Sequence, residues 1–439
     1  MGGQSCRSVW SAPRTIFVAC AVMMLASTAW AEPCRVTLRQ DGNAGWTLLR
    51  DGHPFRIRGA GGEGSLETLR DCGGTMIRTW GIEATERRID GVPFLDRAHQ
   101  LGLSVTLGLW LGHERHGFDY GDERQIAAQR EMVERAVRTF QHHPAVVIWG
   151  LGNEMEGRGD NPTIWREVNW LARRIKDLDP NHPVMTVVAN FDAAKLAAIE
   201  AHAPDIDILG VNAYGGIETV PDRLRQAGWT RPYCITEFGL NGPWEVGLTP
   251  WKAPIEPSSA SKAASTAQAQ DLISEDARCL GSYAFLWGQK QEATSSWFGM
   301  FLPTGERTAR VDVMQKSWSG QWPANRAPVL GQADVPFAER EVRQGEPLVA
   351  GIRHVDPDGD PLSYAFEVVR ESTDRREGGD AEQKPEAVRD AVVHCRPDEG
   401  VVEIRAPSEP GAYRLFVTVR DGHGGGAVDN WPFFVRADR

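Results

Sequence analysis

Two glutamates in this chain, Glu154 and Glu237, stand where short apolar runs end. Residues 148–153 precede the first and residues 233–236 precede the second, and both runs have the character of buried β-strands. Two carboxyl groups that flank one sugar can cleave a glycosidic bond, because one protonates the leaving oxygen while the other attacks the anomeric carbon or activates water. A single glutamate after a strand could merely cap the next helix or pair with a basic neighbour. Two at corresponding strand ends favour paired-carboxylate chemistry.

Eight strand-then-helix units between residues 54 and 319 would carry these carboxyl groups. A (β/α)8 barrel typically needs about 250 residues, and the carboxyl ends of its parallel strands meet at the mouth where active sites lie. We therefore predict an α/β fold with a TIM barrel. A doubly wound open sheet is the alternative, but residues 59–64 lack the GxGxxG spacing that usually follows its first strand. The apolar runs cover residues 55–61, 75–81, 104–111, 145–153, 183–189, 206–214, 232–238 and 281–287.

The two glutamates lie in motifs that resemble those of a known group of enzymes. Trp-Gly-Leu-Gly-Asn-Glu at residues 149–154 looks like an asparagine-glutamate acid/base signature, and Thr-Glu-Phe-Gly at residues 236–239 looks like a nucleophile signature. Both are similar to signatures of glycoside hydrolase clan A, whose working carboxyl groups lie on barrel strands four and seven, and especially to those of the family 2 barrel. The resemblance covers residues 36–318. It implies Glu154 as general acid/base and Glu237 as nucleophile of a retaining enzyme, with carboxyl groups about 5 Å apart.

The same resemblance assigns expected roles to polar residues at other strand ends. Asn153 would hydrogen-bond the 2-hydroxyl group of the sugar that reacts. Asn212 and Tyr214 resemble an asparagine-x-tyrosine element whose phenol contacts the nucleophile. Arg78, near the end of strand two, would keep Glu237 ionised.

Aromatic residues point to a carbohydrate ligand independently of the family, because flat rings match the C–H faces of pyranose sugars. The family resemblance, by contrast, implies that Trp287, at the end of strand eight, forms a hydrophobic floor beneath the sugar, although barrel packing is the alternative for Trp287 and for Arg78. Trp110 and Trp244 are predicted to contact the substrate. The tryptophans in predicted mouth loops are Trp80, Trp110, Trp244, Trp251 and Trp297.

His113 and His116 follow strand three and could be interpreted as metal ligands. A His-x-x-His pair on a loop is a weak metal signal without further ligands, so we predict no metal and favour sugar-hydroxyl recognition by His113. No cofactor is predicted. Glu63 and Glu156 are competing acidic candidates, and Glu156 is expected to lie too far past its strand end.

The chain divides into three predicted segments. Residues 1–31 resemble a secretory signal peptide, with a membrane anchor as the alternative. Residues 32–325 would form the barrel, preceded by a hairpin at residues 36–58 that plugs its floor. Residues 326–439 contain short alternating runs that predict an immunoglobulin-like or cadherin-like β-sandwich, with residues 371–389 as a long exposed loop.

The net charge of the chain limits the classes of partner that it is expected to bind. The formal net charge of −11 becomes −13 when Arg7 and Arg14 leave with the signal, which argues against nucleic acid or anionic lipid as a partner. We expect an exported protein, periplasmic or secreted, with no membrane anchor after signal removal and a neutral β-linked carbohydrate as substrate. One disulfide is compatible with an oxidising compartment, but five cysteines beyond residue 31 do not identify a pair.

Aspartates at residues 356–360 and the turn at residues 421–425 resemble turns of cadherin-like and immunoglobulin-like modules. Alternating aspartates can supply oxygen ligands to calcium. We favour a plain turn over a calcium site in the C-terminal domain.

Three functions agree with these features. The leading hypothesis is a retaining β-glycoside hydrolase that acts on an oligo- or polysaccharide with water as acceptor. A β-glucan transglycosylase, the second hypothesis, would use the same residues. The third hypothesis is a non-catalytic polysaccharide-binding protein. The asparagine-x-lysine element that reads a glucuronate carboxylate occurs nowhere in the chain, which disfavours glucuronidase activity.

Overall fold

The computed structural model describes residues 33–42, 45–157, 161–396 and 398–437. The predicted signal peptide at residues 1–31 therefore lies outside the described residues. Within the described ranges, no helix is both long enough and apolar enough to cross a membrane.

Eight parallel strands close into a barrel, which confirms the predicted fold. The strands are buried along nearly their whole length, as expected where side chains fill the interior on one face and meet helices on the other. Their carboxyl ends share one mouth. In chain order, barrel strands one to eight are Ile57–Gly62, Met76–Arg78, Ser104–Leu109, Val146–Leu151, Val184–Ala189, Ile208–Asn212, Tyr233–Phe238 and Cys279–Trp287.

In the part of the chain that the structure describes, eight α-helices alternate with these strands. Asn161 caps one of them, because its side chain accepts a hydrogen bond from the Thr163 amide and Pro162 occupies the first helical position. The helices are α1 Leu66–Asp71, α2 Phe94–Gln100, α3 Glu123–Phe140, α4 Pro162–Leu178, α5 Ala193–His202, α6 Val220–Gln226, α7 Ser259–Glu275 and α8 Ala309–Ser319. Short 3-10 helices at Ile82–Glu86, Glu114–His116 and Ile217–Thr219 and a small ribbon of Arg88–Ile89 with Val92–Pro93 lie in the connections.

A three-stranded antiparallel sheet closes the other end of the barrel. It consists of Val36–Asp41, Gly45–Arg50 and His53–Phe55, one strand more than the predicted hairpin. Its backbone bonds to segments that precede strands five and eight, through the Val36 amide to the Asn181 carbonyl and the Trp46 amide to the Ala277 carbonyl. The sheet therefore covers the amino ends of the strands and leaves the opposite mouth free for a ligand.

Two four-stranded sheets form the C-terminal β-sandwich, which confirms an all-β unit after the barrel. Alternate side chains of both sheets meet in one apolar core that includes Ile352, Ile404, Leu415 and Phe433. One sheet contains Val329–Asp334, Pro347–Val355, Val401–Arg405 and Val392–Arg396, and the other contains Glu341–Arg343, Gly426–Arg436, Gly411–Arg420 and Ser363–Arg370.

Buried polar contacts join the sandwich to the barrel around the start of α7. The Asp429 carboxylate accepts hydrogen bonds from the Ser259 amide and hydroxyl, both at 2.7 Å, and lies 2.9 Å from Nε2 of His354. Burial raises the pKa of Asp429, but its bonds to His354 and Ser259 outweigh burial and hold the pKa below its usual range. Arg414 adds a hydrogen bond of 2.6 Å to the Pro254 carbonyl. Such satisfied buried groups define a single docking geometry.

The five described cysteines are all free thiols, so the structure pairs none of them. Cys34, Cys72, Cys234 and Cys279 are buried, and Cys395 is partly buried.

We predict that Asp429→Ala destabilises the docked sandwich by about 3 kcal/mol, because buried donors on Ser259 and His354 lose their acceptor. The free energy of unfolding, measured by urea titration with circular dichroism, tests this. Asp398→Ala, at an exposed turn position, is the matched control and should change it by less than about 0.5 kcal/mol. Equal effects of the two substitutions would contradict the proposed role of the contact.

Candidate active site

Glu237 lies inside barrel strand seven, one residue before its end, and both of its carboxylate oxygens accept hydrogen bonds. Oε1 accepts from Nη1 of Arg78 and from Nε1 of Trp80, each at 3.0 Å. Oε2 accepts from the Tyr214 hydroxyl at 2.7 Å. Three donors that converge on one carboxyl group suit its anionic form and fix its orientation.

Glu154 follows strand four, on a backbone that turns sharply out of the barrel. Its φ is +50° and that of Gly152 is +74°, both in the left-handed region, which is uncommon for glutamate and typical of strained functional positions. The Glu154 amide bonds to the Val187 carbonyl of strand five at 3.0 Å, which anchors the turn. The carboxyl group accepts one hydrogen bond, from Nδ2 of Asn212 at 2.6 Å.

The environment of Glu154 favours its protonated form. Burial raises its pKa, and the negative charge of Glu237 raises it further, to about 7. The hydrogen bond from Asn212 opposes these effects without cancelling them. The site thus combines one carboxyl group that can hold a proton near neutral pH with another that is surrounded by donors.

A buried network joins the two carboxyl groups. Arg78 is only 2% exposed. Its Nη2 donates a hydrogen bond to Oδ1 of Asn153 at 2.6 Å, and its Nη1 donates to Oε1 of Glu237. Asn212 donates both to Glu154 and, at 3.3 Å, to Oδ1 of Asn153. Since Oδ1 of Asn153 is occupied, its Nδ2 group remains to donate to a ligand. Strands two, four, six and seven are held together at the mouth by these contacts.

The carboxyl groups open into a cavity of about 970 Å³ at the barrel mouth. This lies at the upper end of the ~300–1,000 Å³ range of ligand sites, so there is room beyond one sugar ring. Trp244 is 62% exposed there, and its ring packs edge-on against Tyr214. The aromatic side chains that line the cavity are Trp80, Trp110, Tyr214, Trp244 and Phe285.

Phe285, not Trp287, supplies the apolar surface from strand eight. Trp287 is fully buried, donates its Nε1 hydrogen bond to the Ser65 carbonyl and packs against Trp318, so its side chain does not reach the cavity. The pairing of strand eight with strand one shifts between the two residues, so simple alternation along the strand does not hold. The prediction that Trp287 lies at the floor of the cavity is therefore wrong, and Phe285 lines the cavity with its ring in contact with Trp80 and Tyr214.

His113 is also displaced from its expected place at the substrate. Its ring stacks on Trp110 with 4.6 Å between centroids and is 2% exposed, so Trp110 separates it from the cavity. Burial, with help from the nearby cation Arg115, lowers its pKa to about 4, which keeps the imidazole neutral. His113 therefore supports Trp110 and does not line the cavity.

The remaining candidate site residues differ in whether they line the cavity. Glu156 is buried in an ion pair with Lys195 at 2.9 Å, away from the cavity, whereas Glu63 lines the cavity rim. Trp251 contacts Phe434 of the sandwich, and Trp297 is fully buried, so neither lines the cavity.

Several lining residues were not assigned a role from the sequence. Trp80 is one of the tryptophans predicted to lie in mouth loops, but the only sequence signal for its hydrogen bond to Glu237 is its position two residues past Arg78. Phe285 and Glu292 line the cavity from strand eight and the loop after it. Residues 375–380 and Glu382 of the sandwich also line it, and no local sequence signal indicates that contact.

Among the described residues, one group of three potential metal ligands has its atoms within 4.8 Å of one another: Asp356, Asp360 and Asp421 of the sandwich. Asp356 accepts hydrogen bonds from the amides of Asp358 and Asp360, and Asp421 accepts from those of His423 and Gly425. These are the bonds of ordinary aspartate turns, and the preference for a plain turn over a calcium site stays a prediction.

Comparison with known proteins agrees with the fold. Residues 100–248 match the family model for glycosyl hydrolases family 2, TIM barrel domain, a range that contains barrel strands three to seven and both glutamates. A β-glucuronidase from Bifidobacterium dentium, solved with coumarin-3-O-glucuronide, is 15% identical, with a TM-score of 0.50 over 65% of this chain and 49% of that one.

Two further solved structures are similar at lower scores. An FMN-binding β-glucuronidase from Facaelibacterium prausnitzii L2-6 is 12% identical, with a TM-score of 0.48 over 91% of this chain and 59% of that one. A glycoside hydrolase family 5 mannosidase from Rhizomucor miehei is 14% identical, with a TM-score of 0.44 over 65% of this chain and 97% of that one. The chain thus spans 49% and 59% of the two glucuronidases. At 15% identity, the similarity to the Bifidobacterium dentium enzyme speaks for the fold alone.

The closed parallel barrel thus contains, at residues 100–248, a segment similar to the TIM barrel domain of glycosyl hydrolases family 2, and both glutamates lie within it.

We predict that Glu237→Gln lowers the pKa of Glu154 from about 7 toward, but not to, the ordinary value of 4.5, since the charge disappears while burial remains. A carbon-13 NMR titration of labelled glutamate side chains measures this. Glu275→Gln, at an exposed position near the end of α7, is the control and should leave the titration unchanged. An unchanged or higher pKa in Glu237→Gln would refute the electrostatic coupling.

Proposed function

We propose that this protein hydrolyses a neutral β-linked oligo- or polysaccharide by retaining double displacement. The observation that carries the proposal is the asymmetry of the two carboxyl groups. Glu237 receives three hydrogen bonds from Arg78, Trp80 and Tyr214, whereas the pKa of Glu154 is raised to about 7. One group suits a nucleophile and the other a proton donor.

In the first step, a Glu237 oxygen attacks the anomeric carbon and forms a glycosyl ester. The bond to the leaving oxygen breaks, and that oxygen takes the proton of Glu154. In the second step, Glu154 is a carboxylate and removes a proton from water, whose oxygen attacks the same carbon. The ester bond then breaks, so Glu237 is free and Glu154 is protonated again. Two inversions leave the anomeric configuration unchanged.

Neighbouring side chains would position these reactants. Arg78, Trp80 and Tyr214 hold the Glu237 carboxylate in one orientation, which preserves the geometry of attack. Asn153 has its Nδ2 group left for the sugar 2-hydroxyl, as expected for retaining glycosidases. Phe285, between Trp80 and Tyr214, offers an apolar surface to a sugar ring.

The choice of a neutral sugar depends on the chain's own residues. The glucuronidases with a similar fold act on or bind glucuronides, but the asparagine-x-lysine element expected to read that carboxylate is missing from the sequence. Aromatic side chains supply much of the lining around the carboxyl groups, which suits stacking on neutral rings.

Transglycosylation is a second candidate, and one observation favours it. Trp244 is 62% exposed at the cavity, where its ring could hold an acceptor sugar against the glycosyl ester in place of water. A purely sugar-binding role is disfavoured by the donor shell around Glu237, which a binding site has no need of. Export remains our expectation from residues 1–31, which lie outside the described part of the chain.

Glu237→Ala should lower kcat on β-linked glycans by at least about 10³-fold, because the nucleophile is absent. Sodium azide should restore part of the turnover and yield the α-glycosyl azide. Product masses from a panel of β-linked glycans resolve hydrolysis, transfer and binding without cleavage. Glu275→Ala is the exposed control, with wild-type kcat expected.

Undiminished turnover by Glu237→Ala would remove Glu237 as the nucleophile. A wild-type protein that binds glycans of the panel but cleaves none would refute the enzymatic proposal as a whole.

A further inference from the structure

A long loop of the sandwich, residues 371–389, reaches from the sandwich to the barrel mouth; we call it the strap. Its base is tied, because the Gln383 amide donates to Asp374 at 2.9 Å and the Val388 amide donates to the Val368 carbonyl at 2.7 Å. The tip, residues 375–382, is thus a compact loop with closed ends, a form that is often functional. It is more than the exposed loop that the sequence predicted.

The tip is bonded to two separate barrel loops. Asp380 lies 2.7 Å from Nε2 of His116 and 3.3 Å from Nη2 of Arg115, in the loop after strand three. On the other side, the Ala293 amide, in the loop after strand eight, donates to Oε2 of Glu382 at 2.8 Å. Polar contacts at both ends hold the tip in place.

These two attachment points lie on either side of strands one and two. Strand eight pairs with strand one, strand one with strand two, and strand two with strand three. The tip lines the same cavity as Glu63 and Arg87, which belong to the loops after strands one and two. It therefore forms a wall of the cavity on that side of the mouth.

Of the charged residues of the tip that line the cavity, Arg376 and Glu377 are not bonded to the described part of the barrel. Arg376 is half-exposed and is paired to Asp374 at 2.6 Å, which orients its guanidinium group. Glu377 is exposed, and its carboxylate forms no hydrogen bond or ion pair within the described ranges. Charged groups of this kind bind sugar hydroxyls through charge-assisted hydrogen bonds.

The strap belongs to the C-terminal β-sandwich, which is docked on the barrel through buried side chains. Arg414, 2% exposed, bonds both to Glu371 at the base of the strap and to the Pro254 carbonyl of the barrel. Asn430 donates to Glu256 of the barrel at 2.6 Å. The base of the strap and the barrel are therefore bridged by the same buried side chain.

We propose that the strap tip is a substrate subsite, in which Arg376 and Glu377 bind a sugar unit next to the one that reacts. The inference rests on the proposed function and deepens it, because it makes the sandwich part of the substrate-binding cavity. The enzyme then prefers oligosaccharides over substrates that fill only the space between Glu154 and Glu237.

The double substitution Arg376→Ala with Glu377→Ala should affect a long substrate, which reaches the strap tip, more than a short one, which does not. A β-hexopyranosyl fluoride occupies only the reacting position, whereas a β-linked tetrasaccharide also reaches the tip. The variant should lose about tenfold in kcat/KM on the tetrasaccharide, mainly through KM, and stay within about twofold on the fluoride.

Arg389→Ala removes an exposed arginine of the strap that does not line the cavity. It should leave kcat/KM unchanged on both substrates. Thermal melting of each variant shows that the fold is intact. Equal effects on fluoride and tetrasaccharide, or none on either, would overturn the subsite. A wild-type enzyme inert on both substrates would instead overturn the proposed function.

Discussion

The buried guanidinium group of Arg78 is the constraint on which the site depends. A cation that is 2% exposed must be paired, because leaving a charge unpaired in the interior is costly. Arg78 meets this requirement with Glu237, with the Thr236 carbonyl and with Asn153. These partners come from strand seven and from the end of strand four, so one side chain from strand two bonds to the ends of both strands that carry the two glutamates.

The difference between the two glutamates follows from this arrangement. Arg78 and its neighbours direct their donors to Glu237, and Glu154 is left buried beside that charge with a single bond from Asn212. Burial and the neighbouring anion then keep a proton on Glu154 near neutral pH. The distinct roles that we propose for two identical side chains thus depend on the distribution of donors around them.

Much of this could be predicted from the sequence because it is local. The apolar runs and the residues that end them place Glu154, Glu237 and Asn212 at strand ends, and the structure brings them together as expected. Trp287 could not be placed correctly, since a register shift within strand eight reverses which aromatic side chain faces the cavity. The role of His113 was missed because stacking beneath Trp110 depends on loop packing.

The contacts of the strap could not be predicted from the sequence for a different reason. His116 and Asp380 are 264 positions apart, and their contact exists only because the sandwich docks beside α7 through buried polar groups. Neither the charged composition of residues 371–389 nor their predicted exposure indicates this partner. A cavity shared between barrel and sandwich is therefore a property of the assembled fold, and it makes the C-terminal unit more than an appendage.

The central claim is that Glu237 becomes covalently bound to the sugar while Glu154 handles the proton. Incubation with a 2-deoxy-2-fluoro-β-hexopyranosyl fluoride, followed by intact-mass and peptide analysis, tests it most directly, because the fluorine slows release of the ester. The account predicts a single fluoroglycosyl adduct on Glu237. An adduct on another residue, or none from an enzyme that still turns over glycans, would contradict it.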